Sequence, residues 1–173
     1  MKQEKALQGT LQGSSLHVLL MLIAKILTRS GYGDIQLLGR RLNTQKSRVG
    51  GCELLCQTNM GHVPIKVIIK VINDGVRTRM LDEMAGAIDR TGSDFGIVVS
   101  TEDLSPKVAK NQGKYGKSRV EVIDGSNFAS MLKKFKIGVR ADDSPDYVFF
   151  AELENQLERV NEFLSHGRFA RGS

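Results

Sequence analysis

The chain has 173 residues, with 25 Lys and Arg against 19 Asp and Glu, for a formal net charge of +6. Forty per cent of the residues are hydrophobic, enough for one sizeable core, which excludes wholesale disorder. No run reaches the ~18 apolar residues of a membrane helix, and a pI near 9.4 points to an anionic partner.

Residues 1–13 are polar and interrupted by Gly9 and Gly13. They are expected to fray, with residues 1–10 as a flexible leader. Ser14 or Ser15 caps a helix running to about residue 30. Leu16, Leu19, Leu20, Ile23 and Leu27 form its main stripe, and Val18, Leu22 and Ile26 widen it. Glu4 in the preceding segment and the lack of a small-residue cleavage site argue against a signal peptide, so a buried helix is expected, with His17 as a core or boundary histidine. Gly31-Tyr32-Gly33 ends it, and residues 34–38 form a first strand. The loop over residues 39–51 carries Arg40, Arg41, Lys46 and Arg48. It suits phosphate contacts that do not read bases, and equally an ordinary solvated loop.

Residues 52–57 read as a second strand, Asn59-Met60-Gly61 as a turn, and residues 63–72 as a third strand. Pro64 suggests that the start of this strand is not central. Cys52 and Cys56 are too few for a disulfide framework and are read as buried thiols in a reducing, cytoplasmic setting. A helix over residues 76–90 shows Met80, Met84, Ala87 and Ile88 on one face. Residues 95–100 form a short strand buried on both faces. Ser105-Pro106 opens a helix with proline at its favoured first position. Lys107, Lys110, Lys114, Lys117 and Arg119 make a second basic patch, open to the same two readings as the first. A strand over residues 119–123 leads into a helix ending near 136.

This order predicts an α/β fold: a central mixed sheet of about five strands flanked by helices, with an antiparallel meander followed by two parallel strands. The main domain is placed at residues 11–137. Residues 138–173 are read as a linker, an amphipathic helix and a basic tail. In the last helix, over residues 146–165, Phe149, Leu153, Leu157, Val160 and Leu164 recur at spacings of four, four, three and four. So narrow a seam suits a subunit contact, hence a homodimer, or docking on the domain. No zinc-ligand spacing, phosphate-cradling glycine loop or nucleophile elbow occurs.

Chemistry concentrates on the third strand. Side chains alternate in a strand, so Lys66, Ile68 and Lys70 share one face, and on its hairpin partner Glu53, Leu55 and Gln57 share one. An acidic residue near a lysine across a hairpin is a metal-nuclease arrangement. The carboxylate holds a divalent cation, and the lysine orients water and offsets charge on the phosphorane. The bland reading is a structural ion pair, or a lysine snorkelling from the sheet end.

From here the sequence resembles the Mrr-like restriction endonuclease family of the PD-(D/E)xK nuclease superfamily, over roughly residues 11–137. The opening helix with Gly31-Tyr32-Gly33-Asp34 is similar to that family's first helix and turn. Gly50-Gly51-Cys52-Glu53-Leu54 is similar to its metal-site segment, and Val67-Ile68-Ile69-Lys70 to its Val-Gln-x-Lys strand. Leu81-Asp82-Glu83-Met84-Ala85, Gly96-Ile97-Val98-Val99-Ser100 and Val122-Ile123-Asp124-Gly125 resemble the segments that follow. Departures are Glu53 for Asp, Ile68 for Gln or Glu, and Leu16-His17-Val18 where the family's helix carries a glutamate. Within the superfamily the second carboxylate can move to the neighbouring helix, which here offers Glu83 or Asp82. The resemblance implies Mg²⁺-dependent cleavage of DNA, with Glu53 as metal ligand and Glu53, Lys70 and Glu83 as catalytic residues. Arg40, Arg41, Lys46, Arg48, Lys107, Lys110 and Lys114 are the DNA-binding candidates. Ile68 is then a hole in the site, which Ile68→Glu would fill with a second carboxylate. The alternatives are a nuclease fold that binds DNA without cutting it, and an assembly subunit recruited through its last helix.

Overall fold

Two long antiparallel strands and three shorter ones carry the alternating apolar pattern that builds the sheet, and helices cover both of its faces. The computed structural model describes residues 2–38, 52–115 and 119–165. In chain order the elements are α1 (Lys2–Gln12), α2 (Leu16–Arg29), β1 (Gly33–Leu38), β2 (Cys52–Met60), β3 (Val63–Val71), α3 (Thr78–Thr91), β4 (Phe95–Val99), α4 (Pro106–Tyr115), β5 (Val120–Ile123), α5 (Gly125–Phe135), α6 (Tyr147–Glu154) and α7 (Leu157–Ser165). The strands lie in the order β1-β2-β3-β4-β5. The first two pairings are antiparallel and the last two parallel, as the sequence predicts.

The segment expected to be a frayed leader is helical. Leu7 and Leu11, one turn apart, are both fully buried in α1, and the helix packs on α5. The Gln8 amide donates to the Thr101 carbonyl at 3.2 Å and to Asp103 at 2.9 Å. Two apolar residues on a polar segment suffice for a helix when a partner groove receives both.

One sheet face joins Ile35, Leu54, Cys56, Val67, Ile69, Val71 and Val99 to α2, α5, α6 and α7 in the larger core. Burial pushes the Cys56 thiol up to about 12, so it stays protonated and inert. The other face joins Ile68, Val98 and Val120 to Leu81, Met84, Ala87 and Ile88 of α3 and Val108 of α4. Gly96 permits this second packing. A Cβ there would lie 2.7 Å from the Met84 Cγ and Sδ atoms, so a side chain would lift α3 off β4.

The last predicted helix is two helices, broken at Asn155 and Gln156. Phe150, Leu153 and Val160 are buried in the larger core, and α6 and α7 both pack on α2. Glu154 accepts from the Ser15 backbone N–H at 2.8 Å and from its hydroxyl at 2.6 Å, in place of a side-chain cap on α2. His17 Nε2 donates to the carbonyls of Leu153 and Glu154 at 3.2 and 3.0 Å. Leu153 and Val160 of the seam read as a subunit contact are therefore buried within the chain. Truncation after Arg140 is expected to destabilise the domain instead of releasing a monomer. Each lost core side chain is worth ~2–4 kcal/mol, so the melting temperature should fall by more than about 10 °C in a circular-dichroism melt. A melting point within about 2 °C of the parent would show that α6 and α7 add no stability.

Candidate active site on the α3 face of the sheet

The β2–β3 hairpin turns at Gly61 and His62, and that turn fixes the register. Glu53 pairs directly with Lys70, Leu55 with Ile68, and Gln57 with Lys66. Directly opposed residues in a sheet have Cβ atoms ~5 Å apart, so Glu53 and Lys70 are neighbours on one face. After β3 the chain turns and α3 lies back over β3, β4 and β5 on that same face. With Leu81 and Met84 directed into the core, the intervening Glu83 emerges at the helix margin, and its Oε2 lies 3.6 Å from Lys70 Nζ. The Lys70 side chain is only 19% exposed and that of Glu83 46%. Of the two acidic candidates on α3, Glu83 is in ion-pair contact with Lys70. Lys70 thus has Glu53 opposite it in register and Glu83 beside its Nζ.

Two arginines that sequence reading missed complete the cluster. Arg79 Nε lies 2.9 Å from Glu83 Oε1, one helical turn away, and Arg90 reaches from the end of α3 to Glu53 Oε2 at 3.8 Å. The spacing of Arg79 and Glu83 is visible in the sequence. The contact between Arg90 and Glu53 is not, because only the packing of α3 over β3 and β4 brings them together.

Ile68 is not an open hole in this site. It is fully buried in the second core, beneath α3. The alternation assigned its face correctly but could not show that a helix lies over it. Lys66 is half-buried. Its Nζ donates to the Thr91 carbonyl at the end of α3 at 2.8 Å, and its backbone N–H donates to Asp94 at 2.8 Å. Beyond the cover of α3, Asp34, Gln36, Leu55, Gln57 and Lys66 line a polar trough of about 240 Å³.

The loop bearing Arg40, Arg41, Lys46 and Arg48 lies outside the described residues. Lys107 and Lys110 are exposed on α4, and the side chain of Lys114 lies outside the description. Among the described residues no three His, Cys, Asp or Glu side chains group as a metal cage. The carboxylates that neighbour Lys70 are Glu53, opposite it in register, and Glu83, 3.6 Å from its Nζ. Such a pair fits a hard cation of the Mg²⁺ kind, which takes one or two carboxylates and completes its shell with water and phosphate oxygens. It does not fit zinc, which prefers nitrogen and sulfur ligands. No helix among the described residues is long and apolar enough to cross a membrane.

A restriction endonuclease family model, that of the Mrr catalytic domain, matches residues 11–132. No curated protein matches the chain in sequence. Among solved structures, the DNA modification-dependent restriction endonuclease AspBHI superposes with a TM-score of 0.54 at 13% identity, covering 94% of this chain and 41% of its own. The MspJI restriction endonuclease, in complex with a 27-mer oligonucleotide, gives a TM-score of 0.43 at 13% identity, covering 90% of this chain and 32% of its own. The likeness to AspBHI is one of fold, and this chain spans about two fifths of that protein's length.

Proposed function

The chain belongs to the restriction endonuclease family defined by the Mrr catalytic domain, and on that footing we propose that it hydrolyses phosphodiesters of DNA with a divalent cation of the Mg²⁺ kind at Glu53, Lys70 and Glu83. The observation that carries this reading is the position of Lys70, opposite Glu53 in register and 3.6 Å from Glu83. Glu83 supplies from the helix the second carboxylate that Ile68 cannot supply from the strand.

In this scheme Glu53 and Glu83 hold the cation, which when bound offsets charge on the phosphate as a Lewis acid. Lys70 presents three N–H donors from a largely buried position, where its charge is screened less than in water. It orients the attacking water and stabilises the negative charge that grows on phosphate oxygen as the water O–P bond forms and the P–O ester bond breaks. The polar trough beside the cluster offers Gln36, Gln57 and Lys66 as donors to the backbone of the strand being cut. Arg40, Arg41, Lys46, Arg48, Lys107, Lys110 and Lys114 serve as phosphate contacts that hold the duplex without reading it, so binding is salt-dependent and sequence-tolerant. Cutting both strands takes two such sites. Two copies therefore act on one duplex. A cytoplasmic setting agrees with the buried Cys56 thiol.

A second reading, a nuclease fold that binds DNA without cutting it, is favoured by the arginines on both carboxylates and by the buried Ile68. Supercoiled plasmid incubated with Mg²⁺ or Mn²⁺, beside a Lys70→Ala control, separates the two. The proposal expects relaxed and linear products from the parent alone. Supercoiled plasmid unchanged under both metals, with the duplex still retarded in a gel-shift assay, would favour the second reading.

A further inference from the structure

We infer that Arg90 competes internally for the cation position at Glu53, and that its guanidinium passes to a DNA phosphate when a cation takes the carboxylate. The inference rests on the proposed site and adds a residue that couples its two ligands. A basic residue in the last turn of a helix suits the helix dipole, and Arg90 occupies that position on α3. The dipole does not account for where the side chain goes. It crosses from the helix to a strand and lies 3.8 Å from Glu53 Oε2. The Arg90 side chain is 65% exposed and that of Glu53 is 31% exposed, so the arginine is the partner free to move.

An exposed pair at this distance is weak, worth about two- to fivefold in binding. A divalent cation with its stronger field displaces it. The released guanidinium then stands beside a site that must receive a phosphate, and its planar fork matches phosphate oxygens. In the absence of metal the same residue neutralises Glu53, so the carboxylate does not repel DNA.

The test uses two readouts. In Mn²⁺ titration calorimetry, Arg90→Ala is expected to bind the cation about two- to fivefold more tightly than the parent. Arg90→Lys, which keeps the charge, should stay near the parent value. In fluorescence anisotropy with a short duplex, the second readout is the slope of log affinity against log salt. It is measured in a Lys70→Ala background so that no DNA is cut. Removing Arg90 should flatten the slope by about one in Mn²⁺ and leave it unchanged in EDTA. Unchanged cation affinity in Arg90→Ala, or a slope that changes equally with and without metal, overturns the inference. Glu53→Gln separates this failure from failure of the site: cation binding that survives Glu53→Gln refutes the site itself. Binding lost in Glu53→Gln but indifferent to Arg90→Ala refutes only the role of Arg90.

Discussion

Lys70→Ala is expected to lower plasmid cleavage by on the order of 10²–10³-fold, the usual cost of removing one donor aimed at developing charge. Glu53→Gln should do at least as much, because it removes a cation ligand as well as a charge. Both residues sit at the margin of the core, with side chains 19% and 31% exposed; the Glu53–Arg90 pair, with Arg90 65% exposed, is worth at most ~1 kcal/mol, and Glu83, 46% exposed, is solvated once Lys70 is removed. Urea unfolding midpoints should therefore shift little while activity collapses. Glu83→Gln gives an intermediate result, since it weakens cation binding and also frees Lys70 from its partner at 3.6 Å. Metal-dependent cleavage that survives both Lys70→Ala and Glu53→Gln would mean that the reaction happens elsewhere on the chain.

Ile68→Glu is expected to destabilise the domain by about 4 kcal/mol instead of adding a metal ligand. Read from strand alternation alone, this substitution adds a second carboxylate beside Lys70. In the fold, Ile68 is fully buried with Leu81, Met84 and Ile88 packed over its face. A glutamate there loses apolar burial worth ~2 kcal/mol and places a carboxylate in a site with no free partner, since Lys70 is already held by Glu83. The melting temperature should drop by about 10 °C or more. A variant that melts with the parent and binds a second Mn²⁺ would show that α3 opens readily over this position.

The sheet was legible because its strands alternate and its turns are marked by glycine. The pairing of Glu53 with Lys70 follows once the hairpin is given a two-residue turn, and the helix after β3 brings Glu83 within range. Other features depend on packing that periodicity does not record. Leu7 and Leu11 are the only buried residues in the 11 of α1, too sparse a stripe to stand out without knowing that α5 receives them. Phe149, Leu153, Leu157 and Val160 keep helical spacing across the break at Asn155 and Gln156, so the stripe conceals two helices. Phe150, outside that stripe, enters the core beside Leu153 and Val160. The contact of Arg90 with Glu53 joins positions far apart in the chain and has no local signature.

The central claim is that Glu53 and Glu83 together form a site for a divalent cation next to Lys70. Mn²⁺ titration calorimetry on the parent and on the Glu53→Gln, Glu83→Gln double variant tests it most directly. The account predicts one Mn²⁺ bound per chain in the parent and none in the double variant, with the fold of both confirmed by circular dichroism. Binding that persists in the double variant, or its absence from the parent, would contradict the account.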